Sequence, residues 1–358
     1  MVAGVRRAHR AFVAFLLFSF CALAFGQATL TEQQKSRVID GALARVREIY
    51  VEQGDIPKID AAIREKAAKG EYRAASTPEA FAAQLGEDLR KVSGDPHFRV
   101  DYNPGEFGPM PTSMKSAPET DAQREARLHV QAVLSNNGFA RVERLDGNVG
   151  VIVMTSVPRT DEIIETAAAA MTFLKDTSAL ILDFRANRGG DPGGVNHLLS
   201  YFVEGRIHTY DFVGRKPEDT MEYFTEATVR GPRYAADKPV FVLTSARTFS
   251  GGEAMVDAMR TWRHAKVIGE RTKGGAVAAL PVKAADHFGM GVPFMKTVNL
   301  VTGKNWNGVG IEPDVAVPAD KAQDAAYLLA LESVAATTKS AMFREQVQAV
   351  MERVKTKP

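Results

Sequence analysis

The chain has 358 residues, of which 45% are hydrophobic and 25% are charged, and its formal net charge is +2. These values are typical of a globular protein with one large or two modest domains. The positive and negative charges are too evenly balanced to indicate a basic surface for nucleic acid, so nucleic acid is not an expected partner.

The first 26 residues have the pattern of a secretory signal peptide. Three arginines precede a short apolar run, and small residues close the segment. A membrane anchor is the alternative, but the run is short for a bilayer span. We therefore predict a signal peptide at 1–26, cleaved after Ala24 or Gly26, and a periplasmic or secreted protein with no stable membrane span after cleavage.

Signal cleavage also changes the charge and the cysteine content. It removes three arginines, which leaves a net charge near −1, and it removes Cys21, the single cysteine of the chain. Lipid attachment at Cys21 is disfavoured because the bulky Phe20 precedes it. The mature chain is therefore expected to have no disulfide, no cysteine nucleophile and no cysteine metal site.

Residues 27–102 are predicted to form an N-terminal helical domain. Apolar residues recur at three- and four-residue spacings between Leu30 and Val92, and Thr77-Pro78 is typical of a helix start. A turn and a short strand follow. The next segment, 103–137, begins with many Pro, Gly, Ser and Met residues, and we interpret it as a linker or mobile loop.

Residues 138–322 are predicted to form an α/β core. Two strands are joined at Asp146-Gly147-Asn148, a hairpin signal, and further apolar strands then alternate with helical segments. That alternation predicts a largely parallel sheet. The last segment, 323–358, is predicted to be helical.

Ser250 follows the apolar strand Val240 to Leu243 and precedes a helix from about Gly252 to Trp262. This arrangement exposes a hydroxyl beside free backbone N–H groups at the positive end of a helix dipole. A serine nucleophile needs such a setting, because fixed donors must meet its oxyanion. The alternative is that Ser250 is only a helix N-cap.

A second loop, 185–194, follows another apolar strand and contains Gly189-Gly190 and Gly193-Gly194. Paired glycines let a backbone present N–H groups as an anion nest. A phosphate-binding loop or a flexible turn is the alternative, although the loop is not a GxGxxG and lacks the lysine of a P-loop. Loops at the carboxyl ends of sheet strands can converge, so this loop and Ser250 could form one acyl-transfer site.

Such a serine needs a base, and histidine is the usual residue. Seven histidines are present, and their spacing selects none of them. His97 lies in a tight turn, Gly-Asp-Pro-His-Phe. Lys273, in Thr-Lys-Gly-Gly, is the alternative base.

Five motifs in order resemble one known family. They are EDLRKVSGDPHFRVDY, NNGFARVERLDGNVGVI, ALILDFRANRGGDPGGVNHLLSYF, VFVLTSARTFSGGEAM with VIGERTKGGA, and WNGVGIEPDVAVP. Together they resemble the tail-specific, or C-terminal processing, peptidases, in the branch of the tricorn protease core and the repeats of interphotoreceptor retinoid-binding protein. The resemblance covers nearly the whole chain after the signal segment.

The resemblance implies an α/β fold with a spiral ββα core of the crotonase/Clp-protease type and an N-terminal helical domain. It implies neither a metal nor a cofactor. The PDZ domain of many processing peptidases is not visible, because the stretch Asn103–Ala122 is far too short to hold one. Selection of substrates would then fall to the groove beside the active site.

The resemblance also implies the roles of the site residues. Ser250 is similar to the family nucleophile, and the N–H of Gly251 with that of Gly189 or Gly190 corresponds to its oxyanion hole. A glycine follows Ser250, where the tricorn-like branch can have a residue that donates from its side chain.

The same resemblance bears on the base. The lysine of the processing-peptidase branch falls at Gly275 rather than at Lys273, so a serine–lysine dyad is not expected. The tricorn-like branch instead uses a histidine and a glutamate, which correspond to His97 and Glu312. Pro96 stands where that branch has a hydroxyl residue, and Glu312 could alternatively be only a charge at a strand end.

These features predict an exported serine hydrolase, in first place a peptidase that cleaves peptide or protein substrates through a Ser-His-Glu triad and an acyl-enzyme. One alternative is a non-catalytic binding module for an apolar ligand such as a retinoid or fatty acid, since fold does not fix function. Another is an esterase or amidase for small substrates. The oligomeric state is not predicted.

Overall fold

The structure is a computed structural model that describes residues 29–105 and 121–356. The predicted signal peptide, 1–26, lies outside the described residues. None of the described helices is both long and apolar enough to cross a membrane. The described helices are α1 (Glu32–Ile49), α2 (Ile56–Ala68), α3 (Pro78–Ser93), α4 (Asp121–Leu134), α5 (Thr160–Leu174), α6 (Pro192–Leu199), α7 (Gly251–Arg263), α8 (Ala322–Thr337) and α9 (Ala341–Lys355). The described strands are β1 (Arg99–Tyr102), β2 (Phe139–Leu145), β3 (Val149–Met154), β4 (Ala179–Asp183), β5 (His208–Val213), β6 (Met221–Phe224), β7 (Val240–Thr244), β8 (Lys266–Gly269), β9 (Val277–Ala285), β10 (Phe288–Asn299) and β11 (Val315–Ala316).

Local capping sets the ends of the N-terminal helices. The Thr77 hydroxyl accepts from the Ala80 N–H (3.2 Å), and Pro78 occupies the first turn of α3. The same helix ends at Gly94, whose φ of 73° is left-handed and therefore favours glycine. The helical character predicted for 27–102 is confirmed.

A six-stranded sheet with the order β11-β8-β7-β4-β3-β2 forms the centre of the described core. Its strands are parallel except β2, which forms the predicted hairpin with β3. Alternate side chains of β4 enter two different clusters. Leu180 and Leu182 face the side of α5, α6 and α7, whereas Ala179 and Ile181 face α8 and α9. Helices thus cover both faces, as expected for a buried parallel sheet, and the predicted α/β core is confirmed.

A second, antiparallel sheet has the order β1-β10-β5-β6, with β9 paired to β10. Helices α1, α2 and α3 pack on its β9–β10 hairpin, and Val282 and Met290 are buried among their side chains. The helical segment therefore shares a hydrophobic core with strands from the predicted 138–322 region. Its β1 pairs with a strand about 190 residues later, Arg99 lying opposite Gly291.

The interpretation of 103–137 as a linker does not hold for Asp121–Leu134, which is helix α4. Ala132, on its inner face, is buried. Two polar contacts join the helix to the core, since Arg159 pairs with Glu125, and His129 Nδ1 lies 3.1 Å from the Glu162 carboxylate. Composition did not reveal this helix, because the stretch before it is rich in Pro and Gly and predicts an irregular loop.

Arg215, in the loop after β5, joins the core to the C-terminal end of α1. Its guanidinium makes five hydrogen bonds to the carbonyl oxygens of Val46, Arg47, Glu48 and Tyr50, at 2.6 to 3.3 Å. The carbonyls of Arg47 and Glu48 are among those that a helix end leaves without intrahelical partners, whereas the Val46 carbonyl also accepts the Tyr50 N–H (3.0 Å). A cation there also interacts favourably with the helix dipole.

We expect Arg215→Ala to lower the free energy of unfolding by about 1–3 kcal/mol, because it leaves partly buried carbonyls without a donor. Chemical denaturation measures this change. Lys216→Ala is the matched control, because Lys216 is exposed and pairs only at 4.0 Å with Glu218. Equal stability of the two variants would show that Arg215 does not hold the helices on the core.

Candidate active site

Ser250 stands directly before α7, at the carboxyl edge of the parallel sheet. Its backbone has φ 52° and ψ −122°, a conformation that non-glycine residues rarely adopt. The Ser250 N–H donates to Glu253 Oε2 (2.9 Å), and the Ser250 carbonyl accepts the N–H of Ala254 (2.9 Å). Ser250 is therefore the N-cap of α7 in position, but a strained one, and such strain is typical of functional sites.

The glycine loop predicted from the sequence lies against the Ser250 turn. Asn187 joins the two, since its side-chain oxygen accepts the Gly189 N–H (2.8 Å) and its carbonyl accepts the Phe249 N–H (3.1 Å). Gly189 has φ 100°, and a Cβ there would lie 2.8 Å from the Cβ of Ser250. Only glycine fits at this position.

Two backbone N–H groups lie free beside the serine. Within 29–105 and 121–356, the N–H groups of Gly190 and Gly251 donate to no protein acceptor. They are close together, because a Cβ on Gly251 would be 2.9 Å from the Gly190 nitrogen. The Gly189 N–H is already bound to Asn187. Of the three glycines predicted for an oxyanion hole, Gly190 and Gly251 therefore have donors available.

His97 lies in the turn between α3 and β1, which Asp95 shapes. Asp95 Oδ1 accepts the His97 N–H (2.9 Å) and lies 3.2 Å from His97 Nδ1. The Asp95 side chain is only 1% exposed. A proton on Nδ1 leaves Nε2 as an acceptor. This Nε2 is buried, and no described residue forms a hydrogen bond with it.

The His97 ring reaches the nucleophile turn through Phe249. The two ring centroids are 4.6 Å apart, and the planes are inclined by 31°. Phe249 immediately precedes Ser250. The structure thus brings the predicted serine and histidine to one place, although Ser250 Oγ makes no hydrogen bond among the described residues.

Glu312 does not lie where the resemblance placed it. Its carboxylate pairs with Arg271, and both side chains are exposed. The carboxylate that contacts His97 is that of Asp95. Among the described residues, the structure thus pairs His97 with Asp95 and Glu312 with Arg271, and the role predicted for Glu312 stays a prediction.

Lys273 and Gly275 are the two positions that bear on a lysine base. Lys273 Nζ is 4.8 Å from the centre of the Phe249 ring. A Cβ on Gly275 would be 2.7 Å from His97 Cε1 and 2.7 Å from Phe249 Cζ. The position that corresponds to the lysine of the processing-peptidase branch is thus filled by the His97 and Phe249 rings.

Glu253 is a buried carboxylate that the sequence analysis missed. It accepts the Ser250 N–H, the Thr272 hydroxyl (2.5 Å), and the N–H groups of Gly274 and Gly275 (both 2.7 Å). Burial raises the pKa of Glu253, and these four donors oppose the rise. The Ser-x-x-Glu spacing at 250–253, a capping-box pattern, was the signal that could have found it.

Two hollows meet at Gly190. A small one adjoins Ser250, and its walls carry no charged side chain. It is lined by Gly190, Pro192, Val195, Tyr210, Phe212, Ser250, Gly251, Ala254, Gly275, Val277, Thr297 and Trp306. A cleft of about 610 Å³ runs between α4 and the glycine loop, with Leu128, Ala132, Pro158, Gly190, Asp191 and Pro192 among its walls. Together they could hold an extended chain across the serine.

The chain is similar in sequence and in fold to known proteins. The chain is 26% identical over 252 residues to the carboxy-terminal processing protease CtpB of Bacillus subtilis, a match that covers 68% of this chain and 50% of that protein. The chain thus spans about half the length of this relative. Among solved structures, a mutant of CPAF superposes with a TM-score of 0.57 at 11% identity, covering 91% of this chain and 98% of that one. A protein from Parabacteroides merdae superposes with a TM-score of 0.53 at 17% identity, covering 90% and 98%. These two superpositions show a similar fold.

Two family profiles match consecutive parts of the sequence. Residues 148–317 match peptidase family S41, and residues 24–139 match the N-terminal domain of peptidase S41 in eukaryotic interphotoreceptor retinoid-binding protein. The first contains Ser250 and the glycine loop, and the second contains His97. The resemblance noted from the motifs is confirmed, and the chain belongs to peptidase family S41.

Proposed function

We propose that the protein is a serine peptidase in which Ser250 is the nucleophile and His97 the general base. Ser250 Oγ attacks the carbonyl carbon of a peptide bond while its proton passes to His97 Nε2. The imidazolium then gives that proton to the leaving amine, which leaves an acyl-enzyme on Ser250. Water, deprotonated by His97, hydrolyses the ester and regenerates the serine.

Asp95 has the orienting role in this proposal, in place of Glu312. Its carboxylate accepts from Nδ1, so the neutral imidazole presents an unprotonated Nε2. The N–H groups of Gly190 and Gly251 hold the oxyanion that forms during attack. The Ser250–His97 hydrogen bond is expected to close when substrate binds, because such bonds are often unformed in a free enzyme.

The main support for the proposal is that several polar groups without hydrogen-bond partners lie close to one serine with a strained backbone. Two free N–H groups and a buried, unpartnered imidazole nitrogen all lie at the Ser250 turn. Unpartnered buried polar atoms cost free energy, so a structure that keeps them is expected to use them. A helix cap alone would need none of these features.

The substrate proposed for this site is a peptide or an unfolded protein segment. It would lie in the cleft of about 610 Å³ between α4 and the glycine loop, which reaches the Ser250 turn at Gly190. Export by the segment 1–26 is part of the proposal. Cell fractionation with N-terminal sequencing tests it, and protein found only in the cytoplasm with Met1 intact would contradict it.

Cleavage of a defined peptide mixture, read by mass spectrometry, tests the proposed activity. We expect the wild-type protein to produce new termini and Ser250→Ala to produce none, because the variant lacks the hydroxyl that forms the proposed acyl-enzyme. Hydrolysis of small esters without any peptide cleavage would favour the esterase alternative. Identical product patterns for the two proteins would contradict the assignment of Ser250.

The binding-module alternative finds little support in the described interior. The apolar cavity inside the core, walled by side chains such as Ile152, Leu182 and Met255, has a volume of about 20 Å³. That is room for about one water-sized sphere, not for a retinoid or a fatty acid.

A further inference from the structure

Asn307 lies in the segment between β10 and β11 and makes two hydrogen bonds with its side chain. Its Oδ1 accepts the N–H of Ala276 (3.1 Å), and its Nδ2 donates to Asp95 Oδ2 (3.1 Å). Asp95 belongs to the turn after α3, more than 200 residues earlier. One amide thus bridges the helical segment and the core beside the candidate site.

On the histidine side, Asn307 completes the surroundings of Asp95. The other oxygen of Asp95 accepts the His97 N–H and lies 3.2 Å from Nδ1. Because the Asp95 side chain is buried, protein donors rather than water decide where its two oxygens point. Asn307 therefore orients the Asp95 carboxylate, and that carboxylate in turn orients the His97 imidazole.

On the serine side, Ala276 ends a short backbone strap, residues 274–276. The N–H groups of Gly274 and Gly275 donate to Glu253, and the same carboxylate accepts the Ser250 N–H. The strap is thus tied to the nucleophile turn through Glu253, and the Ala276 N–H ties it to Asn307. An unbroken series of hydrogen bonds and short backbone steps runs from Ser250 to His97.

We propose that Asn307 is a positioning residue that sets His97 relative to Ser250. This inference rests on the proposed function, because it assigns to Asn307 the alignment of that nucleophile and that base. It acts through Asp95 and does not touch the reacting atoms. Neither the motif resemblance nor the geometry of the serine turn alone identifies it.

Asn307→Leu separates positioning from packing. The variant keeps roughly the volume of the side chain, but it removes the donor to Asp95 and the acceptor for the Ala276 N–H. We expect the pKa of His97, followed by NMR of labelled histidine, to rise, because an Asp95 carboxylate that has lost a donor favours the imidazolium more strongly. The other charged groups around His97 are Asp95 in its own turn, Lys273 over Phe249, and Glu253 behind Gly275, and the substitution alters none of them.

The rate of fluorophosphonate labelling gives the second readout. Its rise with pH is expected to move to higher pH in Asn307→Leu, in step with the pKa of His97. Asn307→Ala is expected to label about 10- to 100-fold more slowly than wild type at neutral pH, the scale of loss for a misplaced catalytic group.

Asn299→Ala is the matched control. Asn299 also donates to a buried carboxylate, Asp257 Oδ2 (2.5 Å), which has no link to His97. We expect that variant to lose thermal stability without moving the pKa of His97. A general loss of packing would affect both asparagine sites alike, whereas positioning affects only Asn307.

Wild-type values of the His97 pKa and of the labelling profile in Asn307→Leu would overturn the proposal. If Asn307→Ala does not fold, the leucine variant, which fills the same space, still decides. If the wild-type protein is not labelled at all, the proposed function fails, while the histidine titration still tests whether Asn307 acts on His97.

Discussion

His97→Ala is expected to lower kcat/KM for peptide cleavage by about 10³- to 10⁴-fold while the protein stays folded. Without the imidazole, Ser250 loses the base that the proposal assigns to it. The His97 side chain is 9% exposed, but it packs mainly against Phe249, so its loss is expected to alter the site more than the fold. Steady-state kinetics with far-UV circular dichroism on the same samples measures both.

Lys273→Ala provides the contrast, because Lys273 is the alternative base. Its ammonium lies over the Phe249 ring, a contact worth only about 1 kcal/mol at a partly exposed site. We therefore expect a change of at most several-fold. If Lys273→Ala is inactive and His97→Ala is active, the base has been assigned to the wrong residue.

Gly275→Ala is expected to lower activity by about 100-fold, although the added group is only one methyl. That methyl would lie 2.7 Å from His97 Cε1 and 2.7 Å from Phe249 Cζ, so at least one ring must move. A displacement of about 1 Å in a catalytic group can cost that much. The strain is also expected to cost about 1–3 kcal/mol of stability. Kinetics and thermal denaturation together show both effects.

Gly54→Ala is the matched control for this substitution. A Cβ at Gly54 meets nothing within 4 Å, so activity is expected to stay at the wild-type level. Wild-type activity in Gly275→Ala would instead mean that His97 does not occupy the space beside Gly275 during catalysis.

The elements that sequence predicted well are those with local causes. The strands of the parallel sheet are short apolar runs, and Thr77 with Pro78 starts α3 by capping that needs no distant partner. The Ser250 turn and the glycine loop were likewise visible, because each follows such a strand. Their convergence followed from the rule that parallel strands end at one edge.

The features that sequence reasoning missed depend on distant contacts. Asp95 and Asn307 look like ordinary turn residues, and only the pairing of β1 with β10 shows that they meet. Glu312 was placed by resemblance, whereas Arg271 determines where its carboxylate lies. A residue's role as an acid partner thus depends on which cation or imidazole the fold brings to it.

Fluorophosphonate labelling followed by peptide mapping tests the central claim, that Ser250 is activated by His97, most directly. We expect the label on Ser250 in the wild-type protein and in Lys273→Ala, and no label in His97→Ala at the same probe concentration. Equal labelling of Ser250 in wild type and His97→Ala, or label on a different serine, would contradict the account.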